Sequence, residues 1–155
     1  MYNKNMENKF MEEALKLAQK ANKKGEVPIG AVIVRNGKII SKGFNKREKT
    51  QNAIMHAEIV AIEKACKKLR SWRLDDCEIY VTLEPCLMCL GAIINSRIKK
   101  LVFGASDNKS CTKEFLLSKN NSLNHNLEIE SGILEEDCAK LLKEFFKNAR
   151  KNIVK

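Results

Sequence analysis

His56-Ala57-Glu58 and, thirty residues later, Pro85-Cys86-Leu87-Met88-Cys89 constrain this chain more than any other feature. One histidine and two cysteines supply three metal ligands and leave a fourth position open, which is what separates a catalytic zinc site from a structural one. Cys86 and Cys89 are three apart, so a helix places them on one face. At a helix start, unpaired N–H groups and the positive dipole end favour thiolates, the form that zinc requires. His56 stands at the start of a second helical pattern. Any fold of this chain must bring those two helix starts together, with the Glu58 carboxylate beside them.

The rest of the pattern says what carries them. Phe10, Met11, Ala14, Leu15, Ala18 and Ala21 recur at helical spacing and predict an amphipathic helix over 6–24, stopped by Gly25. Residues 29–35 read as a strand, Asn36-Gly37 as a tight hairpin turn and 38–41 as the returning strand. A polar loop follows through Asn52. Ile59, Ile62, Cys66 and Leu69 mark one face of the helix that begins near His56. Residues 78–82 form a short strand, Pro85 fits the first turn of a third helix, and 100–103 is a strand ended by Gly104. Residues 114–118 read as a helical turn and 127–130 as the last strand. A final helix runs from 134 to beyond 150, with Leu141, Leu142, Phe145 and Phe146 as apolar anchors. This order predicts an α/β fold, a mixed sheet of about five strands with helices on both faces, in one domain over residues 1–155.

The formal charge is +10, which implies attraction to a polyanion and says nothing of fold. Lys9, Lys16, Lys20, Lys23 and Lys24 lie near the start, and Lys143, Lys147, Arg150, Lys151 and Lys155 at the end. Taken alone, these are solvated helix faces. Glu135, Glu136 and Asp137 open the final helix and its basic end closes it, an order that complements the helix dipole. The absence of a signal-peptide pattern and of a membrane-length apolar run favours the cytoplasm. Reduced or metal-bound cysteines are then expected rather than disulfides. Cys66, Cys77, Cys111 and Cys138 read as small buried hydrophobes. Three uses of the C-x-x-C pair stand open: a catalytic zinc, a redox pair, or a closed structural zinc completed by His125 or Cys111.

The H-x-E…P-C-x-x-C pattern resembles the signature of zinc-dependent nucleobase deaminases. Zinc lowers the pKa of a bound water to about 7, and Glu58 is placed to take the water proton and return it to a substrate ring. The resemblance narrows to the bacterial tRNA-specific adenosine deaminases, which convert the wobble adenosine to inosine. It is carried by Gly25-Glu26-Val27-Pro28-Ile29-Gly30-Ala31, Ser71-Trp72-Arg73-Leu74, Tyr80-Val81-Thr82-Leu83-Glu84-Pro85-Cys86 and Ser96-Arg97-Ile98. It continues in Phe103-Gly104-Ala105, Asn124-His125, Gly132-Ile133-Leu134 and Phe145-Phe146.

That family implies a cytidine-deaminase-like three-layer α/β/α fold, one Zn2+ per chain and a homodimer with substrate bound near the subunit interface. Its implied zinc ligands are His56, Cys86 and Cys89, with Glu58 as the catalytic carboxylate. Asn45 is expected to hydrogen-bond the flipped base or its ribose, and Ala57 and Glu84 to line the pocket. Asp107, Lys109, Asn124 and the segment from Phe145 to Arg150 are expected to meet the tRNA anticodon stem-loop. Two segments depart from the family. Gln51-Asn52-Ala53-Ile54-Met55 stands where Asp-Pro-Thr is usual, and Lys109-Ser110-Cys111-Thr112-Lys113-Glu114 stands where a glycine-rich loop is usual. These departures support an alternative, deamination of a free base or nucleoside. A zinc-stabilised RNA-binding module without catalysis is the reading from another class.

Overall fold

The computed structural model describes residues 3–110, 112–117 and 125–153. Helix α1 (Lys4–Lys23) starts earlier than its apolar spacing predicts because Asn3 caps it, accepting the Met6 N–H at 3.0 Å. Such a cap contributes about 1 kcal/mol. At the other end Glu26 N–H reaches the Ala21 carbonyl at 3.0 Å and Gly25 N–H reaches Asn22 at 3.1 Å. Gly25 takes φ 78°. This paired closure is a Schellman turn, and it fixes the direction in which Glu26 leaves the helix.

Strands β1 (Gly30–Arg35) and β2 (Lys38–Phe44) form the predicted hairpin. Asn36 and Gly37 take φ 50° and 76°, as a two-residue I′ turn demands. The remaining elements are α2 (Arg47–Thr50), α3 (Ala57–Leu69), β3 (Cys77–Leu83), α4 (Leu87–Asn95), β4 (Lys100–Ala105), α5 (Thr112–Leu117), β5 (Glu128–Ser131) and α6 (Glu135–Ile153). The single turn α2 interrupts the predicted polar loop. α5 covers most of the predicted 114–118 turn; Ser118 lies outside the described residues.

The sheet has the order β2-β1-β3-β4-β5. β1 pairs antiparallel with both β2 and β3, while β3, β4 and β5 run parallel. Strand alternation divides the core in two. Ala31, Ile33, Ile79, Val81, Leu101 and Phe103 face α3 and α4. Val32, Val34, Tyr80 and Val102 face Phe10, Met11 and Ala14 of α1 and Cys138 of α6. Helices thus cover both faces, the expected three layers. The register brings Gly30 opposite Phe44, Ala31 opposite Val81 and Leu83 opposite Ala105, so these residues share one end of the sheet.

Three local expectations are corrected. The fully buried face of α3 is Ala57, Val60, Ala61 and Ala65; Ile62, Cys66 and Leu69 are only partly buried against the core. The cause is close approach, since a Cβ at Gly43 would strike the Ala57 carbonyl, and only small residues fit between helix and sheet. Pro85 precedes α4 rather than joining its first turn, because Cys86 is the N-cap. On α6, Leu142 is buried but Phe146 is 48% exposed, its ring meeting Phe145 edge-on at 5.4 Å. Of the scattered cysteines, Cys77 and Cys138 are buried and Cys66 partly so; Cys111 lies outside the described residues.

Candidate active site and metal centre

Both ligand-bearing helices begin at the same end of the sheet. His56 and Cys86 are the N-caps of α3 and α4, each with extended backbone (φ −76°, ψ 157° and φ −71°, ψ 171°). Neither residue makes a side-chain capping hydrogen bond, so both side chains can turn toward a shared ligand. Cys89 lies in the first turn of α4 and is buried. The ligand atoms of His56, Cys86 and Cys89 all fall within 4.8 Å of one another, the one such group found among the described residues. His56 Nδ1 lies 3.7 Å from Cys86 Sγ and 3.5 Å from Cys89 Sγ. Tetrahedral zinc with Zn–N of about 2.0–2.1 Å and Zn–S of about 2.3 Å separates nitrogen from sulfur by about 3.5 Å. The donor set therefore fits zinc in both kind and spacing.

The surrounding charges are unequal. Hydrogen bonds from Cys89 and His56 pull the Cys86 thiol down to about 4, overcoming burial. The bond to Cys86, followed by burial, keeps Cys89 above its ordinary value. Glu58 is 4% exposed. Burial raises its carboxyl, against lowering contacts from its own backbone N–H, Cys89 and His56. A carboxyl shifted upward in this way gives and takes a proton more readily than an ordinary exposed carboxylate.

These groups open onto a cleft of about 200 Å³ lined by Asn45, Arg47, His56, Ala57, Glu58 and Glu84, among others. Sites for drug-sized ligands run to about 300–1,000 Å³; this one suits a single ring system. Asn45, Ala57 and Glu84, expected at the site, line it, and so does Asp107, which was expected at the anticodon stem-loop. Asn45 Oδ1 accepts the Arg47 N–H at 3.1 Å and its Nδ2 donates to the Val27 carbonyl at 3.5 Å. Glu84 Oε1 accepts the Asp107 N–H at 3.3 Å, and Asp107 Oδ1 accepts the Lys109 N–H at 2.9 Å. The segment without glycine folds back on the ligand loop: Ser110 Oγ donates to the Pro85 carbonyl at 2.9 Å, and Thr112 Oγ1 donates to the same oxygen. Lys109, Phe145 and Arg150 are not among the lining residues. Asn124 lies outside the described residues.

Two contributors escaped the sequence reading. Arg47 lines the cleft. Glu26, 1% exposed, accepts the Glu48 N–H on one carboxylate oxygen and the Lys49 N–H on the other, both at 2.9 Å. It thereby ties the end of α1 to α2 and fixes the strap that begins with Asn45. Its only sequence signal was membership of the Gly25–Ala31 match. His125 is no fourth ligand, since its Nε2 bonds the Ile98 carbonyl at 2.7 Å.

Residues 5–150 match the model of the family described as MafB19-like deaminase. A tRNA-specific adenosine deaminase of Bacillus subtilis (strain 168) is 51% identical over 144 residues, 92% of this chain and 89% of that protein. One of Rickettsia bellii (strain RML369-C) is 54% identical over 144 residues, 90% of this chain and 99% of that protein. A solved structure from a study of A-to-I editing by tRNA:A34 deaminases at the wobble position superposes with a TM-score of 0.81. It is 39% identical and covers 86% of this chain and 98% of its own.

Proposed function

This chain belongs to the MafB19-like deaminase family, and we propose that it hydrolytically deaminates the wobble adenosine of a tRNA anticodon loop to inosine. The observation that carries the reading is the joining of His56, Cys86 and Cys89 with a buried Glu58 at one base-sized cleft. The relatives' shared activity selects RNA adenosine over a free base.

His56, Cys86 and Cys89 would hold one zinc ion, which supplies a Lewis acid that makes water reactive near neutral pH. Glu58 would accept a proton from the attacking water and deliver it to N1 of the adenine as the C6–oxygen bond forms. Glu58 then carries the second proton to the departing amino group, giving inosine and ammonia. Ala57 and Glu84 bound the ring, and Asn45 orients the base or its ribose. The substrate base leaves its stack to enter, which costs least in a single-stranded loop. Asp107, Lys109, Asn124, Phe145 and Arg150 are assigned to the anticodon stem-loop. A redox role for Cys86 and Cys89 would leave Glu58 and the cleft unused.

A homodimer completes the proposal. Leu87 (53% exposed) and Phe115 (42%) line an apolar groove along α4 with Leu90, Ile94 and Arg97. Arg97 stacks on Trp72, itself 58% exposed, at 5.8 Å. Leu87 adjoins Cys86, so this face reaches the site. No helix among the described residues is long and apolar enough to cross a membrane; action in the cytoplasm fits a tRNA substrate. Zinc-loaded protein should convert the wobble adenosine of an anticodon stem-loop to inosine. Turnover of free bases or nucleosides with none of the stem-loop would replace this reading with its alternative. Neither turnover, with RNA binding retained, would favour a binding module.

A further inference from the structure

Three ammonium groups from two parts of the chain gather on one aromatic ring. Lys46 Nζ lies 5.0 Å from the Phe44 ring centroid, Lys24 Nζ 5.3 Å and Lys20 Nζ 5.5 Å. Lys20 is in the last turn of α1, Lys24 is its C-cap, and Lys46 precedes α2. Phe44 is buried, so its ring is a fixed platform whose face attracts cations. Among the described residues no carboxylate pairs with these three lysines, whereas Lys16 and Lys42 share Glu13, Lys67 pairs with Glu63 and Lys100 with both Glu7 and Glu130. Burial, then the charges of Lys64, Lys49, Lys24 and Lys20, hold the Lys46 ammonium below its ordinary value. Such a gathering of like charge is relieved by a polyanion.

Its position says which one. Lys46 lies between Asn45 and Arg47, both at the cleft, and its N–H is held by the Met55 carbonyl at 2.9 Å, next to His56. The cleft has room for a base, so the sugar and phosphates must stay outside its rim. An acidic protein surface would meet the same ammonium groups but has no base to place in the adjoining cleft. We propose that Lys20, Lys24 and Lys46 seat backbone phosphates of the substrate RNA beside the reacting nucleotide, an assignment that rests on the tRNA reading above.

The test compares zinc-loaded wild type with the triple variant Lys20→Gln/Lys24→Gln/Lys46→Gln. The control is Lys9→Gln/Lys38→Gln/Lys99→Gln, which removes the same charge from exposed residues toward the opposite end of the sheet. Stem-loop binding is followed by fluorescence anisotropy, turnover by inosine formation, both across a salt series, with circular dichroism confirming the fold. The patch variant should bind about 10–100-fold more weakly at 0.15 M salt, with KM rising in step and kcat within about twofold. Its log–log salt slope should fall by about 2, from three phosphates at about 0.7 each for a single strand. Wild-type affinity and slope in the patch variant would overturn the proposal, as would an equal loss in the control. A fall in kcat at unchanged affinity would also overturn it, because the lysines would then act on the cleft. Wild-type binding without inosine would defeat the tRNA deaminase reading, and the anisotropy comparison would still decide the patch.

Discussion

The two ends of the sheet treat charge in opposite ways. Where β4 begins, Lys100, 13% exposed in its side chain, meets Glu7 at 3.1 Å and Glu130 at 3.0 Å. One ammonium thus joins α1, β4 and β5. Where β3 and β4 finish, Glu58 is buried with no lysine or arginine partner among the described ion pairs, and three lysines share one ring. Charge that holds elements together is neutralised within the chain. Charge at the cleft end is left uncancelled, and the fold bears the cost.

Glu58→Gln tests the site end hardest. The amide keeps the shape but carries no proton, so deamination should fall about 10²–10⁴-fold with zinc content unchanged by elemental analysis. Activity within tenfold of wild type would remove Glu58 from the chemistry. Glu26 comes next. Glu26→Ala frees two N–H groups of α2 that the buried Glu26 carboxylate holds, each about 1–3 kcal/mol if left without a partner. The loop moves with them, so KM should rise roughly tenfold while zinc content holds; Glu26→Gln, which keeps one acceptor, should recover part of the loss. Equal KM values for the wild type and the alanine variant would mean that Glu26 positions nothing.

The far end should answer in stability alone. Lys100→Met strands two carboxylates and should cost about 2–3 kcal/mol, lowering Tm by roughly 5–10 °C with kcat/KM unchanged at 25 °C. Burial disfavours the Lys100 ammonium, but the hydrogen bonds it donates to Glu130 and Glu7 outweigh it and raise its pKa. A raised lysine stabilises the fold fully below its unfolded value of about 10.5 and loses that contribution as pH climbs through the folded value. The stability gap between wild type and variant should therefore hold from about pH 7 to 10 and close above it. A gap that is flat to pH 12 would show that packing, not charge, sets it.

The grouping of His56, Cys86 and Cys89 with Glu58 was legible because it is written in two short stretches. The hairpin was legible because Asn36-Gly37 demands its own backbone shape. Other features join residues far apart in the chain and leave no local pattern. Glu26 caps a helix whose N–H groups come 22 and 23 residues later. The lysine cluster is assembled from α1 and the strap before α2. The buried face of α3 was misread for a different reason: hydrophobicity ranks Ile above Ala, but the contact at Gly43 selects for size. Pro85 was displaced because a cysteine, not a serine or aspartate, caps α4.

That bare contact reaches beyond packing. Gly43 lets the α3 backbone rest on the strand backbone, so the location of His56 is inherited from peptide groups rather than from any side chain that mutation could resize. The strap before it and the segment folded onto Pro85 share no such seat. Change along those two borders therefore leaves the paired helix starts in register.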